Sequence, residues 1–144
     1  MKLTRMAGLV VMLAAIGGTA AFAQSLKLKQ REAQEDQNLV ADAKNLNDTC
    51  GTEIAVKFDW TAAPEEAVMA NSAEGYCDGM LAGIRHICGD DTGRAALKEK
   101  VKTITCGFAP DRAMTLKDGA ADFKIDFKSA NDGDYAYEFL QNHL

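Results

Sequence analysis

The chain has 144 residues, with 16 basic side chains against 21 acidic ones and a formal net charge of −5. That length supports one domain with a modest core. The acidic balance disfavours nucleic acid and anionic headgroups as partners, because both are negative, and suits a basic partner protein better.

The chain opens with Lys2 and Arg5 ahead of an apolar run from Met6 to Ile16, then small residues ending in Ala21-Phe22-Ala23. This is the pattern of a secretory signal peptide over 1–23, with cleavage near Ala23 and a periplasmic or secreted product. The run is too short and too rich in glycine for a membrane span, and Gln24, not a cysteine, follows the cleavage point, so neither insertion nor a lipid anchor is expected. Loss of Lys2 and Arg5 with the leader takes the charge from −5 to −7.

Residues 24–37 are charged and weakly patterned, which predicts a flexible N-terminal arm; a single domain is expected over 38–144. Leu39, Ala43, Leu46 and Cys50 then recur at helical spacing, with Gly51 placed to end the helix. In the next stretch Ile54, Val56, Phe58 and Trp60 alternate with polar or small residues, the two-residue repeat of a strand with one buried face. The central helix follows, with Pro64 in its first turn, Glu65 and Glu66 complementing its positive end, a kink signal at Asn71-Ser72 and a stop at Gly89. Thr92 is expected to cap another helix striped by Leu97, Val101 and Ile104.

After Cys106 the period returns to two. Met114 and Leu116 precede Asp118-Gly119, a two-residue turn signal, and Phe123, Ile125 and Phe127 follow it, which predicts an antiparallel hairpin. Asn131 or Asp132 caps a short terminal helix whose face of Ala136, Phe139, Leu140 and His143 is expected to pack on the sheet. The sum is an α+β fold: a disulfide-stapled domain with a helical hairpin core, a C-terminal β-hairpin and a final short helix.

All four cysteines, Cys50, Cys77, Cys88 and Cys106, lie after the leader, and an even count in a small exported domain points to two disulfides. The gaps between them do not suit a metal site, which usually pairs ligands two to four residues apart. Cys77 and Cys88 are eleven residues apart on one helix, about 16 Å along its axis, whereas bridged Cα atoms lie within about 7 Å. Two connectivities remain, 50–77 with 88–106 and 50–88 with 77–106; the fold-back of the following helix leans toward the second. Each bridge is worth about 2–4 kcal/mol, a large share of the stability of a domain this size.

Gly75, Gly79 and Gly83 recur every four residues in the same helix, each less favourable there than alanine by about 1 kcal/mol. On a wheel Cys77, Leu81, Ile84 and Cys88 share one face, while Gly75, Gly79, Ala82 and His86 lie opposite with Gly83 at the edge. Such a smooth flank offsets its cost by letting another backbone come close.

The run YCDGMLAGI, with its C-x-G-x-x-x-G spacing and further cysteines before and after it, resembles small periplasmic immunity proteins that neutralise cell-wall amidase effectors of type VI secretion. The similarity covers Leu46 to Cys106 and implies an exported, disulfide-stapled and noncatalytic protein; the phenylalanine-rich hairpin departs from that mostly helical pattern. Cys77, Gly79 and Gly83 carry over as structural positions, and no inhibitory residue can be transferred.

Catalytic signals are few. There is no G-x-S-x-G elbow, no H-E-x-x-H and no P-loop, and no cofactor or metal is expected. His86 and Asp90 stand four apart, so a His–Asp pair, with Asp91 as an alternative acid, is the one enzymatic candidate; such a pair is far more often a helix-end histidine with a local acid beside it. The acidic stretches Asp90-Asp91 and Asn131 to Asp134 lack a complete calcium loop and read as caps and turns. Tyr135 and Tyr137 straddle the terminal helix's apolar face, so one is expected to be exposed and available to an interface. Two classes of function follow: a binding protein of the bacterial envelope, such as an inhibitor or immunity protein, and a small periplasmic enzyme built on His86.

Overall fold

A long helix, α1 (Gly18–Cys50), leads into strand β1 (Ala55–Asp59), and three helices follow: α2 (Glu65–Ala70), α3 (Ala73–Ile87) and α4 (Asp91–Lys100). The chain then makes β2 (Thr103–Phe108), β3 (Ala113–Lys117) and β4 (Ala120–Ile125) and ends in α5 (Asp132–Gln141). The computed structural model describes residues 18–144, with side chains from Ser25 onward. The leader expected over 1–23 lies largely outside them. No helix among the described residues is long and apolar enough to cross a membrane.

The sheet has the order β1-β2-β4-β3, with β1 and β4 parallel to β2 and β3 antiparallel to β4. Register puts Phe58, Cys106, Phe123 and Met114 in one cross-strand row, with Val56, Ile104, Ala121 and Leu116 in the next. Side chains alternate across a strand, so these apolar rows share the face on which α1 and α3 pack. The opposite face is polar, with Lys57, Thr105, Asp122 and Thr115 in one row and Asp59, Gly107 and Lys124 in another.

Strand β2 corrects the expected order of elements. Ile104 is not on a helical stripe; α4 ends with Val101 as its C-cap, and Thr103 to Phe108 form the strand that pairs on both sides. The side chain that caps α4 is Asp90, which accepts from the Gly93 amide at 2.7 Å.

The N-terminal segment departs too: residues 24–37, expected as a flexible arm, are helix. The cause is long-range. Glu35 is only 4% exposed; one of its carboxylate oxygens accepts from the Glu74 amide at 2.8 Å and the other pairs with Arg31. Arg31 in turn donates to the Asn71 carbonyl at 3.0 Å. Thus a carboxylate from α1 sits at the N-terminus of α3, where the helix dipole and unpaired amides favour negative charge. Ser72 caps the same end by accepting from the Gly75 amide at 3.0 Å. Asn71 and Ser72 separate α2 from α3, so the expected kink is a break between two helices.

The C-terminus of α1 is closed by Gly51, at φ 62°, and by the Thr52 amide, which donates to the Asn47 carbonyl at 3.1 Å. The bridges are Cys50–Cys88 and Cys77–Cys106, with Cα separations of 5.2 and 6.0 Å. Helix α3 is therefore tied to the end of α1 through its own C-cap residue and to the central strand through its second turn.

The terminal helix makes its main contact with α3, while Tyr135 at its start reaches Phe123 of the sheet on which the pattern placed it. The glycines decide how. A β-carbon on Gly83 would lie 1.9 Å from the Gly133 carbonyl oxygen, and one on Gly133 would lie 2.8 Å from the Gly79 carbonyl oxygen. A β-carbon on Gly79 itself would make an ordinary contact, 3.9 Å from the Asp132 side chain. Gly75 is not in this crossing: its β-carbon would meet only the capping Ser72 hydroxyl, at 3.1 Å. Gly93 makes a second crossing, where a β-carbon would fall 2.1 Å from the Ile87 carbonyl oxygen.

Two stability predictions follow from these junctions. Gly83→Ala forces apart two backbones with no flexible neighbour to yield, so it should cost about 2 kcal/mol or more and lower Tm by roughly 5–10 °C; Gly79→Ala, gaining helix propensity in free space, should leave Tm unchanged or raised. A melt in which both variants behave alike would contradict the crossing. The second concerns Glu74, whose pKa is raised by burial and then by the hydrogen bond and charge of the Asp42 carboxyl. A carboxyl raised in the folded state costs stability when ionised and costs nothing once protonated in both states. Glu74→Gln should therefore raise Tm at pH 7, with the gain vanishing below the unfolded-state pKa near pH 4; thermal melts across that range measure it.

Candidate functional site

Where α3, α4 and α5 converge, the surface holds a groove with two adjoining hollows. One, of about 480 Å³, is lined by residues that include His86, Ile87, Asp90, Thr92, Tyr137 and Leu144. The other, of about 340 Å³, runs along the α3–α5 crossing past Ala82, Gly83, His86, Gly133, Asp134 and Tyr137. His86 and Tyr137 line both, with ring centroids 6.4 Å apart and edge to face. The larger hollow at Gly51, Thr52, Glu53, Lys98, Val101 and Lys102 has a volume of about 590 Å³, but no aromatic side chain lines it, and its Lys102 ammonium is bound to the Lys98 carbonyl at 2.6 Å.

Each wall of the groove is fixed by an interaction already in place. His86 lies in the last turn of α3 and is exposed. Asp90 and Gly93 set the start of α4. On α5, Gln141 donates to the Tyr137 hydroxyl oxygen at 2.6 Å, which leaves the phenol proton free for a ligand. Because Gly83 and Gly133 carry no side chains, the crossing stays shallow and the rings of His86 and Tyr137 stand above it.

The seating of α5 depends on residues that the sequence patterns did not single out. Arg112 donates to the Ala130 carbonyl at 2.7 Å and to the Asp132 carboxylate at 3.0 Å, and its guanidinium lies 4.4 Å from the centroid of the Tyr135 ring. Asp132 is buried, and burial raises its pKa despite the opposing hydrogen bond and charge of Arg112. The preceding turn contains two non-glycine residues in the left-handed region, Phe127 at φ 55° and Asn131 at φ 62°. Asp126 fastens that turn by accepting from the amides of Ser129 at 2.8 Å and Lys128 at 2.9 Å, and from the Ser129 hydroxyl. Those hydrogen bonds hold its carboxyl down to about 2.

The two tyrosines are both half-buried, so neither matches the expectation of one exposed ring. Tyr135 is enclosed by Arg112 and lies 6.3 Å from Phe123 between ring centroids, a structural position; Tyr137 faces the groove. His86 and Asp90 line the same hollow, but no hydrogen bond joins them, since Asp90 is engaged as the α4 cap. Asp91 accepts instead from Arg94, at 3.2 Å. The His–Asp pair is thus not assembled, and no serine or cysteine lines the groove. What the arrangement offers is a histidine ring, a phenol hydroxyl, two aromatic surfaces and the carboxylate of Asp134.

The lowered pKa of Asp126 means that its contribution to stability is fully present above the unfolded value near 3.8 and is lost as pH falls toward 2. Asp126→Ala should therefore lower Tm at pH 7 and show a weaker fall in Tm between pH 4 and pH 2 than the parent; parallel acid limbs for the two proteins would contradict the role assigned to this turn. Comparison with protein-family models, with curated proteins and with solved structures finds no match for this chain.

Proposed function

We propose that the protein is an exported, noncatalytic binding protein of the bacterial envelope, and that the groove between α3 and α5 around His86 and Tyr137 is its recognition surface. The observation that carries this reading is the juxtaposition of those two rings over a crossing with bare backbone, on a helix bridged to two different elements. A groove on so constrained a helix is preorganised, and little ordering entropy opposes association. Aromatic residues in a concave site are the usual anchors of binding energy.

The disulfides support export, because such bonds persist in oxidising compartments, and the leader pattern supports it from the other end of the argument. The acid–base candidate His86 has no carboxylate partner in place, and Asp90 is engaged elsewhere, which favours binding over catalysis. Asp90 and Asp134 at the groove and the net acidic charge favour a basic protein partner. Neutralisation of a toxic effector, the role suggested by the similarity to periplasmic immunity proteins, is one form this function takes.

The test is capture of partners from envelope extracts of the source bacterium at moderate salt, with the parent protein, His86→Ala and Tyr137→Ala as parallel baits. Loss of a hot-spot ring costs about 2 kcal/mol or more, so a specific partner should be retained by the parent and weakened roughly thirtyfold by the variants, while circular dichroism and Tm show the fold preserved. Retention of every partner by both variants, or no retained protein at all, would overturn this assignment.

A further inference from the structure

Helix α1 presents a second surface, on the side away from the core. Three large hydrophobic side chains stand exposed among the described residues, and two of them are on this helix: Leu26, 49% exposed, and Val40, 70% exposed. Exposed Ala33 lies midway between them, seven residues from each. At 100° per residue the three fall within about 40° of one another and span about 21 Å. The buried face of the same helix, marked by Glu35, Leu39, Leu46 and Cys50, is centred about 130° away. A second body laid on this stripe therefore meets the outward face of the helix, with the Trp60 indole at its Asp36 edge.

The flanks of the stripe say what that body is. Lys29 and Asp36 lie on one side, Gln30 and Gln37 on the other, all exposed. If a second α1 is placed antiparallel with a two-fold axis through Ala33, Leu26 of each helix falls opposite Val40 of the other, and Ala33 opposite Ala33. Lys29 then falls beside the other helix's Asp36, and Gln30 beside its Gln37, each pair occurring twice. A parallel two-fold placement would instead set the Lys29 and Asp36 flank of each helix against the Gln30 and Gln37 flank of the other, so that no opposite charges pair across the seam. The stripe is thus complementary to itself in one orientation in both shape and charge, which is what a two-fold isologous interface requires. We infer that α1 mediates an antiparallel dimer of this protein through Leu26, Ala33 and Val40, flanked by paired Lys29 and Asp36. The contact is short, so association is weak and reversible. It is remote from the His86 groove in the chain and independent of its role.

Sedimentation of the oxidised protein from about 10 µM to 1 mM should show a monomer–dimer equilibrium. Val40→Glu, at an exposed site, should raise the dissociation constant at least about tenfold without changing Tm. Lys29→Glu should weaken the dimer, and adding Asp36→Lys to it should restore association; Asp36 also accepts from the Trp60 indole at 3.0 Å, so Tm is followed separately from mass. An equimolar mixture of Leu26→Cys and Val40→Cys proteins should form a mixed disulfide under mild oxidation, mapped by non-reducing mass spectrometry. A monomer throughout the range, a dimer indifferent to Val40→Glu, or Leu26→Cys bridging preferentially to its own copy would each overturn the inference.

Discussion

At Gly83 the Gly133 carbonyl oxygen occupies the place where a β-carbon would stand, so α3 and α5 meet backbone to backbone. That contact fixes the height of α5 above α3 and with it the depth of the groove and the separation of the His86 and Tyr137 rings. Behind it, α3 cannot retreat, because Cys88 is bonded to the end of α1 and Cys77 to the middle of the sheet. The smooth flank and the bridged flank of one helix are therefore a single design: one side is pinned so that the other can be approached.

Charge inside the fold is arranged around the same helix. Glu35 is buried, yet it is stabilised where it lies by the first amides of α3 and by Arg31. Asp132, in the first turn of α5, is held by Arg112, whose guanidinium also covers Tyr135. Both carboxylates stand at helix N-termini, where the dipole offsets part of their desolvation. The Asp42 and Glu74 carboxyls differ: they lie side by side without an intervening base, and the pKa of Glu74 is raised by burial first and then by the hydrogen bond and charge of Asp42. The junction of α1 with α3 thus contains one favourable and one unfavourable acidic contact within a few residues of each other.

Much of this architecture could be read from local pattern. The alternation around Phe58, the Asp118-Gly119 turn and the glycine stop after Cys50 each encode structure within a few residues, and all three elements are present. Where the reading failed, the deciding contacts were remote. Residues 24–37 look like a solvated arm because nothing nearby indicates that Glu35 will meet an amide 39 positions later. Strand β2 was concealed by chance, since Leu97, Val101 and Ile104 continue a helical spacing across the boundary; the β-branched run Thr103-Ile104-Thr105 was the available warning. Of the site, His86 and Tyr137 could be named from sequence, but their meeting depends on Gly133, whose N-D-G context reads as an ordinary turn. Arg112 carried no local signal at all.

The strand order has a consequence for how the chain assembles. Only the β3–β4 hairpin joins strands adjacent in sequence; the central strand must find β1 across three intervening helices and β4 beyond an intervening strand. Pairing between such distant segments meets its loop-closure entropy before any compensating contact exists, which slows the search. Each sulfur pair ties α3, inside that crossover, to one of its ends, with separations of 38 and 29 residues. Oxidation ahead of strand pairing would shorten the search if it joined the native thiols and would block it if it joined Cys50 to Cys77, so the speed of maturation is tied to the order in which cross-links and sheet are made.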